Sequence, residues 1–422
     1  MIHYFIGGDQ EDFRQASIAW VQDGTQSKVD FMMGFIEVYS DYLGNVGSWE
    51  SYVQIVDPET TKVSQLLAKS AQYFENKMPY GPWKKVFPDN YAPPALMAYY
   101  FQEIAEMRSG GYNLPNFDDI RRDVGFKNII RLPLPGETEN PERKAILTEL
   151  YQSFGVPARA EHLLEKQRKA RLVLVLLHEI IGHGSGTYDT TLYGPKEDPI
   201  SALAVAGGSA LEEQRADLAA LVFAADPKLV EVGLYPSLEE AIVVRNAMYD
   251  LYLIDFLRVI ARDHSLAEAH MRGHWLLIKQ LMDQGAVAWV DPVNPTGMPI
   301  PSNQVLAVKD YEGFWKVCNQ LLSDLQSIKA NRQTEKLEAL FRVQAPLSEI
   351  DADWAQAIIQ RGENLKVNSE SFEQSWVIDA QLGFLTVSDT SLEGIARSWT
   401  KLGYDRQANG SSSCMPGSLC FN

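Results

Sequence analysis

The chain has 422 residues, 45% hydrophobic and 22% charged, the balance of an ordinary soluble globular protein with one large or two to three ordinary domains. Its 38 basic and 55 acidic residues give a formal charge of −17, which argues against nucleic acid and against an anionic membrane as partner. No run approaches the ~18 apolar residues of a spanning helix, the first nine residues lack the basic start of a cleavable signal, and the three cysteines, two of them near the terminus, suit a reducing cytoplasm.

In chain order, apolar periodicity predicts helices over 63–77 and 94–108, with strand signal at 52–56, 129–134 and 287–290. The stretch 133–159, rich in Pro, Gly and Glu, reads as a connection. The run Leu172-Val173-Leu174-Val175-Leu176-Leu177 reads as a buried helix. Ser237 with Glu240 forms a capping box that opens a helix to about 261, and Ser265 with Glu268 opens another to about 284. Further helices fit 313–330 and 333–343. Beyond about 346 the pattern is more polar and less periodic, and 408–422 has the composition of a disordered tail. The body is thus mainly α with minor β, and no internal repeat stands out.

The helix at 172–177 leads into His178-Glu179-Ile180-Ile181-Gly182-His183. Two imidazoles and a carboxylate in this order suit a zinc hydrolase, but the histidines are at i and i+5 instead of the i and i+4 of H-E-x-x-H. On a regular helix they would stand ~140° apart. A one-residue π-type bulge at Gly182 would bring them together. Zinc catalysis also wants a third protein ligand and an open fourth position. Thirty residues after His183, Glu212-Glu213-Gln214-Arg215-Ala216-Asp217 reads as a second helix with one acidic side turned toward something positive, most simply a metal.

These two segments resemble the HExxGH and EExxA[ED] marks of the dipeptidyl peptidase III family, peptidase family M49. Gly34-Phe35-Ile36-Glu37, Tyr112-Asn113-Leu114-Pro115-Asn116-Phe117-Asp118-Asp119, Gly125-Phe126-Lys127-Asn128 and Ala269-His270-Met271 match the family in the same order, from about residue 13 to 290. The resemblance implies a zincin-like helical catalytic lobe with a reduced second lobe. The expected division is 1–135, a remnant of the substrate-cleft lobe; 136–345, the zinc-binding lobe; 346–407, a C-terminal region; and 408–422, the tail.

By the same resemblance His178, His183 and Glu213 hold one Zn2+ per chain, and Glu179 is the general base. Glu212 and Asp217 steady the ligand imidazoles from behind, and His270 steadies the tetrahedral intermediate. Asn113 and Asn116 bind the substrate backbone, and Asp30 pairs with its ammonium group. His264 and His274 lie near His270, and His274 reads as a helix-surface histidine.

Two departures bear on activity. The upstream lobe of the longer family members is mostly missing, so the cleft should be shallower or completed by a partner subunit in a homo-oligomer. Met32 stands where the family has a tyrosine whose hydroxyl helps stabilise the oxyanion, and losing one such donor typically costs ~10²–10³ in rate. The expected function is a zinc-dependent hydrolase acting on a peptide or peptide-like amide. The alternatives are a zinc enzyme for a non-peptide small molecule and a catalytically weak binding protein.

Overall fold

The computed structural model describes residues 9–25, 27–35, 49–89, 91–104, 110–132, 141–194, 197, 199–263, 268–291, 304–344, 358, 376–379 and 384–387. Asp9 opens the first helix, α1 (Gln10–Asp23), by accepting the backbone N–H of Glu11 at 2.9 Å. In β1 (Val29–Phe35) buried Asp30 and Met32 alternate with exposed Val29 and Phe31, the period-two pattern of a strand covered on one face. It pairs antiparallel with β2 (Trp49–Val56), which contains the strand expected at 52–56. The helix expected over 63–77 is two: α2 (Pro58–Lys69), capped by Asp57, and α3 (Ala71–Lys77), separated at Ser70.

The helix expected over 94–108 is instead a strand, β3 (Ala95–Ile104). It is followed by β4 (Gly111–Leu114), α4 (Asp118–Asp123) and β5 (Lys127–Arg131). The sheet order β1-β2-β3-β5-β4 puts β3 at the centre, antiparallel to β2 and parallel to β5. Ala95, Leu96, Met97 and Ala98 are therefore all buried, and the alternation that betrays a half-exposed strand is erased. The strand expected at 129–134 is β5, starting two residues earlier.

The expected connection at 133–159 is also corrected. Helix α5 (Pro141–Phe154) occupies most of it, burying Leu150, Tyr151 and Phe154. Pro at a first helical position is favourable, and a buried apolar stripe outweighs a polar composition. Next, α6 (Ala160–Leu176) runs into a π-turn, Leu177–Gly182. The chain continues through α7 (Pro199–Ala202), α8 (Gly208–Phe223), α9 (Pro227–Glu231), α10 (Leu238–Asp263) and α11 (Ala269–Asp283). A hairpin of β6 (Val287–Val290) and β7 (Val305–Val308) precedes α12 (Tyr311–Ala330) and α13 (Thr334–Glu338).

Ser237 accepts the N–H of Glu240 at 3.3 Å, as its capping box predicts. At α11, by contrast, Glu268 is itself the N-cap, accepting the N–H of Met271. Ser265 and His264 lie outside the described residues, as do Ile36 and Glu37 of the GFIE stretch and the tail at 408–422. The helices share one apolar core, in which α8 is buried nearly all round and packs on α6, α11, α12 and the π-turn. A helix so enclosed holds its polar side chains in fixed positions.

The chain divides into two compact units, Met1–Val367 and Asn368–Asn422. Within the second, the described residues are an antiparallel hairpin of β8 (Trp376–Asp379) and β9 (Phe384–Val387).

Candidate metal centre

The extra residue of the histidine motif is absorbed locally. His183 donates its backbone N–H to His178 O at 3.0 Å, the i→i+5 bond of a π-turn. The two rings then meet with centroids 4.7 Å apart at 87°. Gly182 makes this compatible with α8: a Cβ there would lie 2.7 Å from Cα and 2.8 Å from Cβ of Ala216. The glycine of the first motif and the alanine of the second are thus a packing pair that brings Glu213 to the histidines.

Three imidazoles converge on one carboxylate oxygen. Glu213 Oε2 lies 3.2 Å from His178 Nε2, 3.5 Å from His183 Nε2 and 3.2 Å from His270 Nε2. Behind the converging Nε2 atoms each ring has its own acidic partner: Asp217 at 2.7 Å from His178 Nδ1, Glu212 at 3.2 Å from His183 Nδ1, and Glu268 at 2.8 Å from His270 Nδ1. A ring that donates Nδ1–H to such a partner turns its Nε2 lone pair forward.

Imidazole nitrogens facing a buried carboxylate oxygen need a positive charge between them, supplied by a proton or by a bound cation. Glu213 Oε2 is buried with no hydrogen-bond partner, and the ligand atoms of His178, His183 and Glu213 all lie within 4.8 Å of one another. The donor set therefore fits a divalent metal ion, and two His with one Glu suits Zn2+.

Electrostatics follow the same geometry. When a proton takes the cation's place, burial opposes charge on His178, yet Asp217 and Glu213 carry its pKa up to about 10. Burial alone would raise Glu213, but the imidazoles of His183 and His270 hold it well below the usual carboxylate range. Glu212 is likewise depressed against its burial by Arg215 and Lys329. Burial pushes Glu179 up, and the neighbouring imidazoles only partly offset it.

Glu179, between the two histidines in sequence, has a buried Oε2 with no partner. The sheet reaches it from the other side: a Cβ on Gly111 would lie 3.1 Å from Glu179 Cγ. Asn113 Nδ2 donates to Glu179 O at 3.2 Å and to Asn128 Oδ1 at 2.5 Å, while Asn113 Oδ1 is buried without a partner. Asn116, in the segment between β4 and α4, is exposed.

Other expected residues sit elsewhere. Asp30 is buried and paired with fully buried Lys127 at 2.5 Å, and it accepts from Trp20 Nε1 at 3.0 Å. Its carboxylate is already neutralised within the sheet. Met32 lies in the small apolar cluster with Phe13, Tyr52 and Tyr112, 4% exposed. His274 is not a surface histidine: its Nε2 lies 3.0 Å from Asp217 Oδ2, and its ring packs 4.1 Å from that of Tyr252.

Sequence reasoning missed Glu268 as the partner of His270, having assigned it to a capping box. It also missed Arg215, whose fully buried guanidinium takes both Glu212 oxygens at 3.1 and 2.6 Å, and Lys329, 2.7 Å from Glu212 Oε2. Arg215 stands inside the second motif, and an arginine on the apolar face of a buried helix was the available signal.

Residues 1–189 match peptidase family M49. The dipeptidyl peptidase 3 of Nematostella vectensis is 30% identical over 195 residues, covering 44% of this chain and 24% of the relative. That of Dictyostelium discoideum is 25% identical over 330 residues, covering 68% and 45%. The chain thus aligns with less than half the length of these relatives. The structure of DPP III from Caldithrix abyssi has the same fold, with TM-score 0.62 at 19% identity over 85% of this chain and 62% of that one. The helical body, the small sheet and the collinear motifs agree with these matches: over residues 1–189 the chain is similar to peptidase family M49, and its fold is that of the DPP III structure.

Proposed function

We propose that the chain is a zinc-dependent hydrolase that cleaves a peptide or peptide-like amide, with His178, His183 and Glu213 holding the ion. The observation that carries this reading is the convergence of imidazole Nε2 atoms on the unpartnered, buried Glu213 Oε2. Zn2+ bound there would act as a Lewis acid, making water more acidic and polarising a carbonyl.

Each remaining role falls to a side chain whose surroundings suit it. Glu179 takes the proton from water and returns it to the leaving nitrogen; its buried carboxyl, raised by desolvation, is a better proton carrier near neutrality than an exposed one. Asp217 and Glu212 hold the two ligand rings in one tautomer and orientation. His270, steadied by Glu268, is assigned to the developing oxyanion. Asn113 and Asn116 are assigned to the substrate backbone, and Asn113 already spans from Asn128 to the Glu179 carbonyl.

A second reading has its own support. Asp30 is neutralised by Lys127 and Met32 is packed in the sheet core, so neither offers a polar group to a free amino terminus or an oxyanion. A zinc-dependent enzyme for an amide without a free amino terminus fits those two facts.

Elemental analysis of wild type and Glu213→Ala, with hydrolysis of a diarginyl arylamide by wild type and Glu179→Ala, tests the first reading. One zinc per chain, lost with Glu213, and turnover lost with Glu179 support a peptidase. Equal turnover of an N-blocked analogue moves the substrate to the second reading, and a wild type without a divalent cation overturns both.

A further inference from the structure

The three residues after His183 are held one peptide unit at a time by charged side chains. Gly184 O accepts from Lys85 Nζ at 2.8 Å. Ser185 O and Oγ accept from Arg215 Nη1 at 3.3 and 2.8 Å, and Ser185 Oγ donates back to Gly182 O at 2.8 Å. Gly186 N donates to both oxygens of Glu75, at 3.1 and 3.2 Å. Glu75 lies on α3 and is 1% exposed, and its Oε1 also accepts the backbone N–H of Lys85 at 2.7 Å.

This bracing opposes a specific local tendency. A π-turn is a one-residue excess in an otherwise α-helical run, and a helix that reverts to i→i+4 bonding turns the next residue by ~100°. Such a turn at His183 would swing Nε2 away from Glu213. With α6 leading into the turn on one side, the Gly184–Gly186 arm carries the chain out of it on the other, so fixing the arm fixes the register. Gly186 fits the role: it has φ +75°, and a Cβ there would lie 2.5 Å from Gln326 Oε1. Buried charges contribute little net stability, because desolvation offsets their attraction, and their use here is geometric.

We propose that Glu75 and Lys85 are positioning residues for His183, holding the Gly184–Gly186 arm so that the π-turn keeps its register and the centre retains its divalent cation. This role rests on the metal-centre reading above.

The test is zinc release into excess chelator from zinc-loaded full-length wild type, Glu75→Gln, Lys85→Met, Lys85→Arg and a control, Asp250→Asn. Asp250 bonds Arg159 at 2.6 Å and Tyr311 at 2.8 Å and none of the residues of the arm, so its replacement perturbs a buried charge network elsewhere, and the variant's unfolding temperature is measured alongside. Release is expected about tenfold faster in Glu75→Gln and Lys85→Met, the scale of losing a support behind a ligand. Lys85→Arg should stay near wild type, and Asp250→Asn should release at the wild-type rate. If Glu75→Gln does not fold, Lys85→Met with its arginine counterpart carries the test. Wild-type release rates in Glu75→Gln and Lys85→Met, or equally fast release from a destabilised Asp250→Asn, would overturn the positioning role. A wild type that takes up no zinc would instead overturn the centre itself.

Discussion

Gly182 and Ala216 touch backbone to backbone: a methyl added at Gly182 would come within 2.7 Å of Ala216 Cα, 2.8 Å of its Cβ and 2.9 Å of its carbonyl oxygen. This contact sets the distance between the π-turn that carries both histidines and the helix that carries Glu213. Neither side can give by rotating a side chain, because the clash is with main chain.

Gly182→Ala is therefore expected to destabilise the fold by about 1–3 kcal/mol through overpacking and to weaken metal retention by separating α8 from the π-turn. Urea unfolding measures the first and chelator competition the second. A variant with wild-type zinc affinity would show that the contact does not set the site.

Asp217 joins two histidines, accepting from His178 at 2.7 Å and His274 at 3.0 Å, with Tyr252 at 3.3 Å. Asp217→Asn keeps the volume but removes the charge behind His178. Zinc affinity should fall about 10- to 100-fold, and His274→Gln should produce a smaller loss in the same direction. Titration against a chelator of known affinity decides both.

Asp30→Ala separates two roles for one carboxylate. As the close partner of fully buried Lys127, its removal leaves that charge only the more distant, partly exposed Asp23 at 3.8 Å and should cost about 3–5 kcal/mol in unfolding free energy. As an ammonium-binding residue alone, it would raise KM for a free-amine substrate and leave stability near wild type. Denaturation midpoints and KM measured on the same preparations distinguish them.

Lys85 supplies a pH dependence with a definite sign. Burial, with Lys329 nearby, lowers its pKa from 10.5 to about 7, while an unfolded lysine keeps its proton to the ordinary value. Between about 7 and 10.5 the unfolded chain holds more protons, so this group makes stability rise with pH across that window. The rise in unfolding free energy from pH 7.5 to 9.5 should be smaller in Lys85→Met than in wild type. Identical slopes would show that Lys85 stays charged in the fold.

Local patterns carried much of the site. The i,i+5 histidines with Gly182 between them predicted a π-type bulge, and the bulge is there because Gly182 alone tolerates the approach of Ala216. Glu213 and Asp217 were legible as one face of a helix because i and i+4 stand a single turn apart, with Glu212 next to Glu213 in sequence. The helix expected at 94–108 went wrong for an equally physical reason: β3 is covered on both faces, and an unbroken apolar run has no period to read. The segment at 133–159 was misjudged because its Pro and Gly were weighed as breakers, whereas Pro141 stands at the start of α5.

What the sequence by itself offered is a list of candidate ligands, base and carboxylates, from residue type, from short separations within each of two helical segments, and from the resemblance of both segments to the M49 marks. Tertiary structure decided which charges serve the site and which are consumed by neighbours. Lys329, 117 residues from Glu212, supports the carboxylate behind His183, while Asp30 is taken by Lys127, 97 residues away. A charge in a buried environment is governed by whatever lies within a few ångströms of it, and that proximity comes from packing α8 against the π-turn, α11 and α12, which no separation in sequence records.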